Sequence, residues 1–196
     1  MEKQNPYDEQ KKLDAIYNRK SATEIPWFVE QPPELLISLI EKYRIEPCKT
    51  LDMGCGMGDV AMVLAKKHFD VTGIDFSPTA IQIARQKAQE TNIKNVQFEA
   101  KHVTEPISDL PADFGFIYDW KLLHHIFPVH RKNYIKNVYN LLKNNGLYIS
   151  VCFSENNEQF GGKGKYRTTS IDTTLYFSSA EEIETLVMPY FDIVQN

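Results

Sequence analysis

The sequence is poor in cysteine, in positive charge and in long apolar runs. Its 196 residues include 3 cysteines, Cys48, Cys55 and Cys152, which lack C-x-x-C spacing, so neither a disulfide framework nor a metal site is predicted. Lys and Arg number 22 against 26 Asp and Glu, and this net charge of −4 disfavours binding to nucleic acid or to an anionic membrane. No apolar run approaches the ~18 residues of a membrane span, and the charged first residues do not resemble a signal peptide. We therefore expect a cytoplasmic protein with no nucleic-acid or membrane partner.

What remains is the composition of one globular unit in which strand-like and helix-like segments alternate. Hydrophobic residues make up 42% of the chain and charged residues 24%. Periodicity predicts strands over 49–53, 71–76, 96–100, 114–119, 147–153 and 191–194. Helical patterns lie between most of them, and Ser179 with Glu182 forms a capping-box pattern for a last helix. This alternation predicts an α/β fold with a doubly wound, mostly parallel sheet that binds ligands at the carboxyl ends of its strands.

A glycine loop follows the first strand, in the segment Leu51-Asp52-Met53-Gly54-Cys55-Gly56-Met57-Gly58-Asp59. A dinucleotide fingerprint would need glycine at position 59, where Asp59 would instead repel a pyrophosphate. Asp75 ends the second strand, where an acid can accept both hydroxyls of a ribose. The loop and the acid together favour an unphosphorylated nucleoside ligand, and the alternative is a plain strand–turn–helix with a capping acid.

LDMGCGMGD followed by VTGIDFSP resembles motif I and the acidic motif II of class I S-adenosylmethionine-dependent methyltransferases, over about residues 47–196. The resemblance implies a Rossmann-like sheet in the order 3-2-1-4-5, with S-adenosylmethionine as cofactor and S-adenosylhomocysteine as product. It implies cofactor contacts from the following positions: Asp52, Gly54, Cys55, Gly56, Asp75, Phe76, His102, Val103, Asp119 and Trp120. His102 stands where the family usually has an acid that accepts the adenine amino group, so it departs from the pattern.

Two side chains are candidate catalytic bases in the segment that follows the fourth strand. His124 or Asp119 could take a proton from an oxygen or nitrogen acceptor, whereas a thiolate-like acceptor would need no base. His124 and His125 are adjacent, but no H-E-x-x-H or C-x-x-C partner supports a metal site. A packed or capping histidine is the alternative interpretation.

A second resemblance concerns the branch of small-molecule methyltransferases that acts on thiopurines, on thiols and halides, and in tellurite resistance. Pro128, Arg131 and Tyr134 follow the spacing of that branch, and Glu24-Ile25-Pro26-Trp27 resembles its N-terminal arm, in which a tryptophan closes over the cofactor. The resemblance implies that Trp27 contacts the cofactor, that residues 1–46 form a helical arm or lid, and that residues 47–196 form the methyltransferase domain. Simple packing of the arm's aromatic residues on the domain is the alternative.

The predicted activity is methyl transfer to a small-molecule acceptor. Aromatic residues are expected to line the acceptor site: Trp27, Trp120, Phe127, Phe160 and Tyr166. The loop over 160–167 is either a solvated connector or a substrate lid, and its Lys163, Lys165 and Arg167 form a basic cluster that could attract an anionic acceptor. An S-adenosylmethionine-binding protein without activity is one alternative, and a nicotinamide-dependent oxidoreductase is a second one that Asp59 disfavours.

One feature of the family sheet has no counterpart in the sequence. The chain stops at Asn196, about where the sixth predicted strand ends. Either the sequence is cut short or the fold does without its seventh strand, whose absence would leave a sheet position unpaired.

Overall fold

The computed structural model of the chain describes residues 6–19 and 33–194, and its centre is a five-stranded parallel sheet. The strands are β1 (Lys49–Met53), β2 (Asp70–Asp75), β3 (Val96–Ala100), β4 (Phe114–Trp120) and β5 (Leu142–Val151), in the order β3-β2-β1-β4-β5. The helices are α1 (Pro6–Arg19), α2 (Glu34–Lys42), α3 (Asp59–Lys66), α4 (Pro78–Glu90), α5 (Pro128–Leu141) and α6 (Ala180–Val187). The predicted fold class and strand order are confirmed.

Helices bury both faces of the sheet, as a doubly wound fold requires. One core combines the apolar sides of α2, α3 and α4, and Leu36, Leu64 and Ile81 are fully or almost fully buried in it. The core on the opposite face is built by α5, with α6 packed against it. Since Leu36 belongs to the first core, α2 is a layer of the domain and is not part of a separate arm. None of the described helices combines the length and the apolar composition that crossing a membrane requires.

Capping residues set several helix boundaries as the sequence predicts. Ser77 accepts a hydrogen bond from the Ala80 amide at 3.0 Å, and Pro78 begins α4. Ser179 and Glu182 form the predicted capping box at the start of α6. The Asn-Asn-Gly segment over 144–146 lies inside β5, where Asn145 has a φ of 60°. A shift of register between Phe114 and Phe116 accommodates this irregular segment.

The C-terminal part of the fold departs from the prediction. Residues 191–194, which were predicted to form a sixth strand, have no regular structure. The ring of Phe191 packs against Tyr139 and Tyr148 and so continues the apolar side of α6, which accounts for the apolar pattern that suggested a strand. In the described ranges no strand pairs with the outer edge of β5. A short antiparallel hairpin, β6 (Tyr166–Thr168) and β7 (Thr174–Tyr176), was not predicted.

Candidate active site

A cavity lies at the carboxyl ends of β1, β2 and β4, the position that parallel α/β sheets use for ligands. The N-terminal helix α1 covers one side of it, and the β6–β7 hairpin covers another. Predicted site residues that line the cavity are Asp52, Gly54, Cys55, Gly56, Asp75, Phe76, Trp120 and His124. The structure therefore brings most of the predicted set into one place, and the roles of these residues stay predictions.

The glycine loop lets the backbone form the cavity floor. Gly54 has a φ of 74°, and a Cβ at this position would lie 2.5 Å from Cδ1 of Leu122. Gly56 has a φ of 53°, and its Cβ would lie 3.1 Å from the hydroxyl oxygen of Tyr17 on α1. Both the backbone conformation and the close approach therefore require glycine. The amides of Gly54 and Cys55 both donate to the Ile74 carbonyl, at 2.8 and 2.9 Å, which ties the loop to the end of β2.

Asp75 holds the glycine loop and the start of α4 together. Its Oδ2 accepts a hydrogen bond from the Gly56 amide at 3.0 Å, and its Oδ1 accepts one from the Ser77 amide at 2.9 Å. Burial raises the pKa of Asp75 to about 6, while these two amide bonds oppose the shift. Each carboxylate oxygen has a second acceptor position, so the residue can keep both amides and still accept ligand hydroxyls.

Asp52 is a buried acid with an orphaned oxygen at the cavity wall. Asp52 is 2% exposed, and its Oδ2 makes no hydrogen bond of good geometry within the described residues. The Tyr118 hydroxyl is nevertheless close enough to oppose the rise of the Asp52 pKa. Burial raises the pKa of Asp52 to about 8. A buried oxygen without a partner is costly, and a cationic donor entering the cavity would satisfy it. The acidic character of this end continues with Asp59, whose carboxylate is paired with Lys87 at 2.6 Å.

Three of the positions predicted to contact the cofactor, Phe76, His102 and Val103, are placed differently from one another. Phe76 lines the cavity, and the His102 ring lies beside it, with the ring centroids 6.4 Å apart. The Nδ1 of His102 is within 2.9 Å of the Thr104 hydroxyl, and burial lowers the pKa of His102. Val103 is buried in the core on the α5 face of the sheet, and its carbonyl accepts from Asn137 at 2.8 Å. Only Phe76 of the three belongs to the cavity wall described here.

Asp119 lies behind the cavity and does not line it. It is fully buried, and its Oδ2 accepts hydrogen bonds from the hydroxyls of Tyr134 and Tyr148, at 2.8 and 2.7 Å. Its side chain fastens β4 to α5 and β5, and burial raises the pKa of Asp119. The prediction that Asp119 acts as a base or contacts the cofactor stays untested, and this placement does not support it. Its neighbour Trp120 does line the cavity.

His124 belongs to an aromatic wall at the other end of the cavity. It lies in a 3-10 turn, Leu123–His125, and its ring centroid is 4.4 Å from that of Phe153. Its Nδ1 accepts a hydrogen bond from the Phe153 amide at 3.4 Å. Burial first, and then the nearby charges of His125, Lys121 and Arg131, place the pKa of His124 well below its usual range. The imidazole is therefore neutral, and its Nε2 is the nitrogen that carries the proton.

Arg131 holds this turn in place from inside the protein. Its guanidinium donates to the carbonyls of Ile126 and Leu123, at 2.7 and 2.9 Å, and to the Ser178 hydroxyl at 2.6 Å. The same group lies over the Tyr176 ring, 4.8 Å from its centroid. Arg131 is therefore a buried link between the turn that bears His124 and the strand β7.

Two of the three residues in the basic cluster predicted in the 160–167 loop are engaged within the protein, and Lys163 is exposed. Arg167 is buried and donates to the carbonyls of Glu155, Asn157, Gln159 and Gly164, so its charge organises the loop. Lys165 pairs with Glu182 at 2.8 Å and with Glu155 at 3.6 Å. The loop carries Phe160 to the cavity, where its ring meets those of Phe153 and Phe177. The loop therefore forms part of the cavity wall, which agrees better with a substrate lid than with a solvated connector.

Other predicted aromatic residues lie elsewhere. Phe127 and Tyr166 pack against each other, with ring centroids 5.7 Å apart, and neither lines the cavity. Trp27 lies outside the described residues, as does the whole segment 24–27. The roles predicted for Trp27 and for the arm therefore stay predictions.

Sequence reasoning missed several cavity residues, which come from α1, from the ends of β4 and β5 and from the β6–β7 hairpin. These are Leu13, Tyr17, Lys121, Phe153, Thr169, Ser170, Ile171, Thr173 and Leu175. The described side chains of α1 pack onto the glycine loop and α4, where Ile16 and Tyr17 meet Met57 and Ala80. The apolar periodicity of α1 could have indicated that it packs on the domain, although no local signal shows where.

Comparison with known proteins agrees with this geometry. Residues 50–146 match a family model described as a methyltransferase domain. This segment, just under half of the chain, is therefore similar to a methyltransferase domain. The 2-heptyl-1-hydroxyquinolin-4(1H)-one methyltransferase of Mycobacteroides abscessus is 30% identical over 130 residues, which are 66% of this chain and 56% of that protein. EEF1A lysine methyltransferase 2 of Homo sapiens is 29% identical over 151 residues, which are 69% of this chain and 64% of that protein.

A solved structure shows how far the fold agreement extends. The Burkholderia thailandensis 1,6-didemethyltoxoflavin-N1-methyltransferase, solved with its substrate and S-adenosylhomocysteine, superposes with a TM-score of 0.71 at 21% identity. The match covers 97% of this chain and 80% of that one. At this identity the likeness establishes the fold, and it confirms the predicted methyltransferase architecture. The chain spans between half and two thirds of the two curated relatives named above.

Proposed function

We propose that this methyltransferase domain binds S-adenosylmethionine in the cavity described above and catalyses transfer of its methyl group to a small molecule. The observation that carries the proposal is the division of one cavity into two chemically different ends. Buried acids and a glycine floor form one end, and aromatic rings form the other. A cationic nucleoside and an apolar acceptor would each find a matching surface there.

The acidic end suits the cofactor on the chemistry of its donor and acceptor groups. The orphaned Oδ2 of Asp52 can accept from the cofactor's ammonium group. Asp75 can accept from the ribose hydroxyls, and Phe76 offers a ring face to the adenine. The bare backbone at Gly54 and Gly56 leaves room for close approach. When bound, S-adenosylmethionine supplies an electrophilic methyl group on a positively charged sulfur.

The chain's own contribution is orientation and the exclusion of water. α1, the 154–165 loop and the β6–β7 hairpin enclose the cavity from three directions, and their contributions include Tyr17, Phe160 and Ile171. Alignment of two reactants in such a site can supply a large part of the rate enhancement. A site of this kind supports an acceptor that fits inside it.

Two properties support a small acceptor over a macromolecule. The net charge of −4 disfavours a polyanion. Two of the three residues of the candidate basic cluster are engaged within the protein, since Lys165 pairs with Glu155 and Glu182 and Arg167 is buried against backbone carbonyls. The resemblance to the thiopurine and thiol/halide branch rests on residues that support the fold, so we do not use it to assign the acceptor. Arg131 and Tyr134, which carry it, are buried supports behind the acceptor end. The cytoplasmic location is also a proposal.

Labelled methyl transfer tests the proposed function. The protein is incubated with methyl-labelled S-adenosylmethionine and, separately, with a metabolite extract, total protein and total RNA. We expect label in the metabolite fraction, and we expect Asp52→Asn to abolish most of it. Asp70 is exposed at the start of β2, so Asp70→Asn serves as the control and should leave the labelling unchanged. Label confined to protein or RNA would contradict the small-acceptor proposal. Cofactor binding without transfer to any fraction would favour the S-adenosylmethionine-binding alternative.

A further inference from the structure

Lys121 is a charged residue of the cavity wall that the proposed cofactor contacts do not use. It follows β4 directly, and it has a φ of 63°, a left-handed conformation that is uncommon for a residue other than glycine. Its amide donates to the Val151 carbonyl at 2.8 Å, which fixes this turn beside the end of β5. Within the described part of the chain, Lys121 forms no ion pair and is the only Lys or Arg that lines the cavity.

The ammonium group of Lys121 lies beside the aromatic rings of the cavity wall. Its Nζ is 5.8 Å from the centroid of the Trp120 ring. Its charge also contributes to lowering the pKa of His124, which places it near the same wall. The carboxylates of the cavity, Asp52, Asp59 and Asp75, belong to the glycine-loop end. A negative charge on an acceptor would therefore find its counterion at Lys121.

Among the residues that the structure describes, none at the same end of the cavity has a side chain suited to removing a proton from a neutral acceptor. The Nδ1 of His124 is occupied by the Phe153 amide, and its Nε2 carries the proton. Burial lowers the pKa of the adjacent His125 to about 4, which makes it a weak base. Asp119 is enclosed by Tyr134 and Tyr148. The hydroxyls of Thr169 and Thr173 bond each other at 2.8 Å, and hydroxyls of this kind are not bases.

Flat rings line this region and favour a flat ligand. The ring of Phe153 is stacked on that of Phe177 at 5.2 Å, and those of His124 and Phe160 adjoin it at 4.4 and 5.9 Å. Aromatic rings prefer offset-stacked or edge-to-face contact with other rings. A planar aromatic molecule would gain such contacts on entering.

We infer that the acceptor is a planar aromatic molecule whose nucleophilic atom is already ionised, an acidic hydroxyl or a thiol, and that Lys121 selects this anion. This inference rests on the proposed function. An ionised oxygen or sulfur forms its bond to the methyl carbon with its own lone pair, and the electron pair of the broken carbon–sulfur bond remains on the cofactor sulfur. No proton has to be removed, so the absence of a suitable base is consistent with the reaction.

The test uses 4-nitrophenol as a probe, because its anion absorbs visible light and its hydroxyl ionises near neutral pH. The dye is titrated from pH 5.5 to 9 into the full-length protein saturated with S-adenosylhomocysteine, whose own binding is first measured by calorimetry. We expect the bound dye to ionise at a pH lower by about 0.5–1 unit than the free dye, a preference of roughly 3–10-fold for the anion. Lys121→Met should remove the preference, and Lys121→Arg should retain it. Lys163→Met, which removes an exposed charge outside the cavity wall, should leave it unchanged.

Each outcome separates this inference from the proposed function. If S-adenosylhomocysteine does not bind, the proposed function has failed, and this inference fails with it. If it binds but the dye does not, or if Lys121→Met keeps the full preference for the anion, only the inference about the acceptor is overturned. Loss of the preference in both Lys121→Met and Lys163→Met would also overturn it, because the effect would then come from overall charge.

Discussion

Asp52 is the residue whose charge should decide cofactor affinity. Its pKa is raised to about 8 by burial, so in the free protein the carboxyl is largely protonated at neutral pH. A cationic ammonium group favours the ionised form, so binding must release the proton. We predict that affinity for S-adenosylhomocysteine rises between pH 6 and pH 8, by up to tenfold per unit, and flattens above about pH 8.

Calorimetry in buffers of different ionisation enthalpy measures both the affinity and the proton release. Asp52→Asn is the matched control, since it keeps the shape of the side chain and cannot ionise. Its affinity should be weaker and nearly independent of pH from pH 7 to pH 8, above the range in which Asp75, with a pKa of about 6, changes its charge. A wild-type affinity that is flat from pH 6 to pH 8 would show that Asp52 does not meet the cofactor's ammonium group.

Asp75 combines a structural role with a predicted ligand contact. Asp75→Ala leaves the Gly56 and Ser77 amides without their acceptor, and unsatisfied buried donors cost about 1–3 kcal/mol each. We predict that the free energy of unfolding falls by about 2–4 kcal/mol, and that S-adenosylhomocysteine affinity falls about 30–150-fold. Urea unfolding and calorimetry measure the two effects.

The control for Asp75 lies at the opposite end of the same strand. Asp70 is exposed at the start of β2, so Asp70→Ala should change neither quantity appreciably. Undiminished affinity in Asp75→Ala would remove Asp75 from the cofactor site, whatever happens to stability.

At the scale of elements, α1 acts as a cover for the glycine loop. Its Ile16 and Tyr17 pack on Met57 and Ala80, and Asp14 accepts a hydrogen bond from the Ser77 hydroxyl. Lys12 of α1 forms an exposed ion pair with Asp172 of the hairpin. This pair contributes little to the free energy of unfolding, since exposed ion pairs are worth about 0–1 kcal/mol. Deleting residues 1–32 should leave a domain that unfolds cooperatively, with S-adenosylhomocysteine affinity reduced at least about tenfold.

Point variants separate α1 from the segment that follows it. Tyr17→Ala removes a cavity-lining side chain and should reproduce a measurable part of the loss of S-adenosylhomocysteine affinity. Lys11 is exposed on the same helix, so Lys11→Ala should leave that affinity unchanged. Full affinity in the deletion protein, determined by calorimetry, would mean that α1 packs on the domain without serving the cavity.

The elements that the sequence predicts well are those with strong local signals. β1 and β3 occur over the predicted residues, and α4 and α6 begin at the capping residues Ser77 and Ser179. The β6–β7 hairpin was missed because its strands have three residues each, too few for a periodic pattern. Its position depends on Arg131 and Arg167, whose hydrogen bonds reach carbonyls and hydroxyls that no local pattern identifies.

The same distinction applies to the candidate site. Motif spacing predicted the acidic end, since Gly54, Gly56 and Asp75 meet through adjacent parallel strands. The acceptor end comes from segments far apart in the chain, and tertiary packing alone brings Leu13, Lys121 and Ile171 together. The role predicted for Asp119 stays a prediction, and the side chain is buried against Tyr134 and Tyr148, a placement that no local pattern indicates.

At the scale of the whole molecule, the cavity joins α1, the sheet edge and the hairpin, so a bound ligand should stabilise all of them together. Ligand at one hundred times its dissociation constant adds about 2.7 kcal/mol, and a domain of this size gains roughly 2–4 °C in melting temperature per kcal/mol. We predict that S-adenosylhomocysteine at that excess raises the melting temperature by about 5–10 °C, in a single transition. NAD should cause no shift, because Asp59 and the other acids oppose a pyrophosphate.

The rise in melting temperature caused by S-adenosylhomocysteine should also increase with pH. The raised pKa of Asp52 gives the free protein a contribution to stability that is complete below the acid's unfolded pKa and is lost as pH rises through about 8. The ligand-bound form, with Asp52 ionised and paired, does not suffer this loss. At a fixed ligand concentration the shift should therefore be larger at pH 8 than at pH 6, and Asp52→Asn should show a smaller difference, the part that Asp75 contributes. A wild-type shift that is larger at pH 6, or a comparable shift with NAD, would contradict this account of the acidic end.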